Sequence, residues 1–177
     1  MNSATSEHDC DLLRHMLATI AYRGGKTIRN APDGFANFRA EGILNTPLLL
    51  LAHIGDLIEW AHTWCNGDVE SYRISEPLGW EGESQRFYRT LASFDQFLVS
   101  AGRLQVDLRA VFQAPIADAL THVGQLALLR RMAGDPVAGE AYRLAEIVTG
   151  RVGPDQTRAR REFERDKGAI WVQPARS

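Results

Sequence analysis

The sequence predicts an all-α protein: a four-helix bundle carrying an extra short helix and a C-terminal tail. Three observations predict it. Apolar residues recur at helical spacing in four long segments. Alternating strand-like patterns bounded by turn residues are scarce. Pro, Gly and Asn fall where those segments should begin and end.

The first helix runs from about His8 to about Asn30, with Leu13, Leu17 and Ile20 on one face and Met16 beside them. Gly24 and Gly25 weaken its far end, since each costs roughly 1 kcal/mol against Ala in a helix interior. A loop from Ala31 to Asn45 follows, which Phe35 and Phe38 pin to the core. The second helix has Thr46 as N-cap and Pro47 at its favoured first position. It ends near Trp64, with Asn66-Gly67 as the stop. After a connector containing Pro77 and Gly79, a third helix begins near Glu83, with Phe87, Leu91, Phe94 and Leu98 as its stripe and Ala101-Gly102 at its end. The fourth runs from about Pro115, or from nearer Asp107, to Met132 and stops at Gly134-Asp135-Pro136. Its apolar residues go nearly all round, which marks it as the most buried. A short helix covers about Ala138 to Val148. The charged tail after Gly150 reads as a solvated helix, with Trp171 anchoring its end and Arg158, Arg160 and Arg161 offset by Glu162, Glu164 and Asp166. The loops after the first two helices are long enough for crossovers. Domain organisation follows: a bundle over residues 1–150 and a tail over 151–177 that packs on it.

Charge and composition exclude several classes of function. The 177 residues include 20 Lys plus Arg and 22 Asp plus Glu, a formal net charge of -2. That balance argues against a basic nucleic-acid binder and leaves no polybasic membrane patch. The longest apolar run, Leu48 to Ala52, has five residues, against about 20 for a membrane-spanning helix. The polar start MNSATSEHDC lacks the features of a signal peptide. Two distant cysteines, Cys10 and Cys65, suggest free thiols in a reducing compartment. The expectation is a soluble cytoplasmic domain with neither nucleic-acid nor membrane partners.

Polar residues in apolar stripes are the informative positions. At about 100° per residue, Leu49, His53, Leu57, Trp60 and Trp64 share one stripe of the second helix. His53 stands in its middle, while His62 falls on the opposite side and should be wet. In the fourth helix Val111, Asp118, His122, Gln125 and Leu129 fall in line. Asp118 and His122 are spaced i, i+4, so their side chains stack and can share one metal ion, with His53 as a third ligand. A lone histidine on an apolar face is more often a hydrogen-bonded core residue than a ligand. Asp118 and His122 also read as a buried hydrogen-bonded pair. The three together with Gln125 favour a site, because an unpaired buried carboxylate costs several kcal/mol and a divalent cation removes that penalty. His8 and His15 read as surface residues, Cys65 as a buried inert thiol, and Asp56 and Glu59 as solvated. The small-residue file Ala114, Ala117, Thr121 and Gly124 reads as permitting close helix packing.

These residues resemble the DinB-like (YfiT-like) metal-binding four-helix bundles. Members of that family show one His in the second helix and a His-x3-His pair in a later long helix, often followed by Gln. LLLLAHIGDLIEW supplies His53, and DALTHVGQLALLRRMAG supplies His122 and Gln125 in the matching places. The likeness covers residues 10 to 150. It departs at the first position of the pair, which is Asp118. The implied ligand set becomes two His and one carboxylate, suited to zinc, nickel, iron or manganese, with Gln125 beside the ligands. The resemblance also implies a homodimer and, for the function, a metal-dependent thiol S-transferase or hydrolase. Such an enzyme would take a low-molecular-weight thiol or another small-molecule substrate. The competing class is a non-enzymatic metal-binding or partner-binding module.

Overall fold

The computed structural model describes residues 7–101, 104 and 106–163. Within them the chain is an all-helical bundle. Its helices are α1 (Glu7–Ile28), α2 (Pro47–Cys65), α3 (Trp80–Ser100), and a fourth built from α4 (Leu108–Val111), a π-helical stretch (Phe112–Ile116) and α5 (Ala117–Met132). Among the described residues the one β-type pairing is an isolated antiparallel bridge between Glu140 and Glu162.

The helix starts follow local chemistry. Thr46 caps α2 by accepting the Leu49 N–H at 3.3 Å, and Pro47 follows it. Asp107 caps α4 by accepting the Arg109 N–H at 3.0 Å. The helix α3 begins at Trp80, earlier than the sequence suggested. Gly79 turns in with φ 84°, and the buried Glu83 accepts the Leu78 N–H at 3.0 Å. Pro115 has no N–H to give the helix ladder, and the wider π turn forms around it.

Cross-helix neighbours set the topology. Arg14 reaches Asp95 near the start of α1 and the end of α3, while Gly24 lies under Phe87 at their other ends. So α1 and α3 are antiparallel. Gly55 faces Arg86 and His62 stacks on Phe94, so α2 and α3 run parallel. Parallel neighbours need a connection as long as the bundle, and residues 66–79 supply it. Each long helix packs on two others, α2 and α1 both lying between α3 and α5. The core is filled by residues such as Leu17, Ile54, Phe87, Phe94 and Leu126. Phe35 is buried beneath the first loop and Phe38 packs beside it.

Gly24 and Gly25 have a packing reason. A Cβ on Gly24 would stand 2.6 Å from the Phe87 ring, and one on Gly25 would stand 2.6 Å from the Tyr88 hydroxyl. Phe87 is fully buried and cannot move cheaply. Gly24→Ala is therefore expected to destabilise the fold. Overpacking of about 1–3 kcal/mol outweighs the helix-propensity gain of about 1 kcal/mol. A urea midpoint equal to or above that of the wild type would contradict this.

Four expectations are corrected. The helix expected over Ala138 to Val148 is only a 3-10 turn at Tyr142–Leu144. Its backbone bonds go instead to the returning chain, with Ala141 N–H donating to Arg161 and Phe163 N–H to Gly139. Glu140, buried at its start, accepts the Tyr22 hydroxyl at 2.6 Å and Lys26 at 2.7 Å. Residues 151–163 are not helical either, and Trp171, Glu164 and Asp166 lie outside the described residues. The fourth helix is not the most buried. Thr121, Gly124, Gln125, Leu128 and Met132 of α5 are exposed, whereas α2 buries more of its residues. The small-residue file does not bring α5 close to its neighbours throughout, since a Cβ on Gly124 would meet nothing within 4 Å. No described helix is long and apolar enough to cross a membrane.

Candidate metal centre

His53 projects from the second turn of α2, and Asp118 and His122 from the first two turns of α5. The pairing of these two helices brings all three together. His53 Nε2 lies 3.7 Å from Asp118 Oδ2, and His122 Nε2 lies 3.3 Å from Asp118 Oδ1. The imidazole centroids are 4.7 Å apart with the rings tilted at 73°. One ligand atom from each residue falls within 4.8 Å of the others. The side chains of His53, Asp118 and His122 are 33%, 47% and 15% exposed, so the cluster opens to solvent.

The donor set fits a divalent ion. Two imidazole nitrogens and one carboxylate oxygen surround a single point, and metal–ligand bonds of about 2 Å span such gaps with small side-chain rotations. Burial, and then the nearby His122, push the His53 pKa below its usual value, against the opposing pull of Asp118 and Asp56. A neutral His53 offers a free lone pair at neutral pH. His122 Nδ1–H donates to Gln125 Oε1 at 2.8 Å, which turns Nε2 toward Asp118 Oδ1 and the shared point. In the neutral tautomer this arrangement leaves Nε2 free to ligate.

Two features escaped the periodicity. Tyr72, on the connector, places its hydroxyl 3.2 Å from His53 Nδ1. Nothing in a helical wheel could point to a loop residue. The second is a buried ionic cluster beneath the site. Asp56 was expected to be solvated but is buried and ion-paired with Arg86, whereas Glu59 is solvated as expected and reaches Arg86 from the rim at 3.1 Å. Arg86 also meets the fully buried Glu83 at 3.3 Å. The i, i+3 spacing of Glu83 and Arg86 was a visible signal, but burial of a charged pair was not.

His62 is not wet. Its ring stacks on Phe94 at 5.3 Å and leans on Phe97 at 4.9 Å. The parallel α2/α3 pairing turns that side of α2 inward. Burial lowers its pKa, with Glu59 pulling the other way. His15 is exposed, near Thr149 at 3.3 Å, and the side chain of His8 lies outside the described residues. Cys10 and Cys65 are buried, and neither is in a disulfide. Burial pushes the Cys65 pKa up to about 12, an inert thiol.

The two lowered histidines predict acid sensitivity. Each has a folded pKa below its unfolded value of 6.5. The unfolded chain therefore binds more protons once pH falls through that range, and stability complete above it is lost below it. Urea midpoints of metal-free protein should fall as pH drops from about 7.5 to about 5. His62→Phe, which keeps a ring on Phe94, should flatten part of that fall. An unchanged slope in the variant would contradict the assignment.

No protein-family model, curated protein or solved structure matches the chain.

Proposed function

We propose that this chain is a DinB-like metalloprotein in which His53, Asp118 and His122 hold one divalent ion of zinc, nickel, iron or manganese. The observation that carries the reading is the convergence of three ligand atoms within 4.8 Å of one another on two packed helices. The bundle architecture supports it as well. A divalent ion bound there supplies Lewis acidity, lowering the pKa of a thiol or water that reaches it.

The residues of the chain do the rest. Three protein ligands leave a coordination position open, and the exposure of Asp118 and His53 leaves it reachable from solvent. Gln125 holds His122 in its ligating tautomer. The function that follows is transfer of a low-molecular-weight thiol to a small electrophilic substrate, with hydrolysis as the second chemistry of the same site. A reducing cytoplasmic setting suits such a thiol.

Two clefts of about 320 Å³ and 260 Å³ lie around the C-terminal end of α1, and neither includes a residue of the triad. The second reading is a binding module that takes its partner in those clefts and whose metal site serves no reaction. A conjugation assay separates the two. Metal-loaded protein should accelerate coupling of a small thiol to an electrophile, and His122→Ala should not. Loaded protein that accelerates neither coupling nor hydrolysis leaves the module reading.

The homodimer belongs to the same proposal. Thr121, Gly124, Leu128 and Met132 form one exposed face of α5 among the described residues, and a second copy would cover it. Sedimentation at tens of micromolar that shows only a 19.7 kDa species would count against it.

A further inference from the structure

A neutral imidazole carries one N–H. If His53 gives Nε2 to an ion, its proton must sit on Nδ1, and a half-buried N–H needs an acceptor. For His122 that acceptor is Gln125 Oε1. For His53 the atom in reach is the Tyr72 hydroxyl, 3.2 Å from Nδ1, with the phenol ring edge-on to the imidazole at 86°.

Resting on the metal reading above, we infer that Tyr72 is the positioning residue of the site. It takes the His53 Nδ1–H and so turns Nε2 toward the ion, and the buried Arg86 cluster holds it there. A tyrosine on a long connector could do this only if the connector were fixed, and it is fixed on both sides. Before Tyr72, Trp60 Nε1 donates to the Val69 carbonyl at 2.7 Å, and Ser71 bonds to Thr63. After it, Ser75 N–H donates to Asp56 Oδ2 at 3.2 Å, and Arg86 Nη2 donates to Ser75 Oγ at 3.1 Å. The Trp60 ring also packs against the phenol at 5.3 Å. The charge cluster is thus tied to the metal centre through residues 72–75. A hydroxyl suits the position because it can also donate. Before metal loading the Tyr72 O–H can donate a hydrogen bond to Nδ1 while Nε2–H faces Asp118. On loading, one proton leaves Nε2 for solvent and one arrives at Nδ1. Tyr72 keeps its own proton and only rotates.

The test uses the full chain and zinc alone. Tyr72→Phe keeps the ring against Trp60 and removes only the hydroxyl. Zinc affinity should fall by about 10–100-fold, the usual effect of losing a partner that orients a metal-bound histidine, while circular dichroism keeps its helical signal. Nitrogen-15 NMR of the zinc-loaded wild type should show His53 bound through Nε2 with its proton on Nδ1, a signature that a merely structural role for Tyr72 does not require. Zinc affinity of Tyr72→Phe within about threefold of wild type, where 10–100-fold is expected, overturns the inference and leaves the metal reading standing. So does His53 bound through Nδ1. Wild-type protein that binds no zinc overturns both.

Discussion

Arg86→Ala is expected to lose about 3–5 kcal/mol of stability, the usual cost of removing one partner from a buried ion pair. The Arg86 side chain is 4% exposed, between Asp56 at 2% and Glu83 at 0%. Nothing else in the cluster carries positive charge, so the variant leaves two buried carboxylates uncompensated. It also frees the Ala52 carbonyl and the Ser75 hydroxyl, which Arg86 now bonds. Against a total of about 5–15 kcal/mol for a protein of this kind, the loss is a large fraction of the whole. Urea denaturation followed by circular dichroism measures it. Arg86→Lys should fall between the two, because it restores the charge without the fork of donors that reaches several partners. A loss for Arg86→Ala below about 1 kcal/mol, the range of exposed pairs, would mean that the cluster is hydrated.

Chelation gives the second large effect. With free metal at about 100 times its dissociation constant, binding adds roughly 2.7 kcal/mol to the native state. For a domain of this size that raises the melting point by about 5–10 °C, and a chelator should remove the gain. His53→Ala, Asp118→Ala and His122→Ala should each abolish the metal-dependent increment. His62→Ala is the contrasting variant. It should lower the melting point of the metal-free protein, because His62 packs on Phe94 and Phe97, yet retain the full increment. If Asp118 and His122 were only a hydrogen-bonded pair, the variants would be destabilised while wild-type melting ignored chelator and added metal.

What the sequence made legible was set by local rules. Thr46-Pro47, Asn66-Gly67 and Gly134 marked helix ends because caps and left-handed turns are written in neighbouring residues. His53, Asp118 and His122 stood out because polar residues interrupted apolar stripes, and the two stripes do meet. The readings that missed depend on partners far along the chain. Asp56 lies off the His53 stripe, and only the parallel packing of α3 sets Arg86 against it. His62 is covered for the same reason. The segment after Ala138 has a helical pattern but spends its hydrogen bonds on residues 161–163 and on Tyr22 and Lys26 of α1. The apolar side of α5 suggested burial, yet among the described residues that face is exposed. Tyr72 carried no periodic signal because it lies in the crossover between two parallel helices.

The central claim is that one divalent ion belongs among His53, Asp118 and His122. Elemental analysis of untagged protein, before and after dialysis against zinc, nickel, iron or manganese, tests it most directly. The expected result is one ion per chain in the wild type and none retained by Asp118→Ala or His122→Ala at neutral pH. A wild type that purifies free of metal, and takes up none of the four when they are supplied, would contradict it.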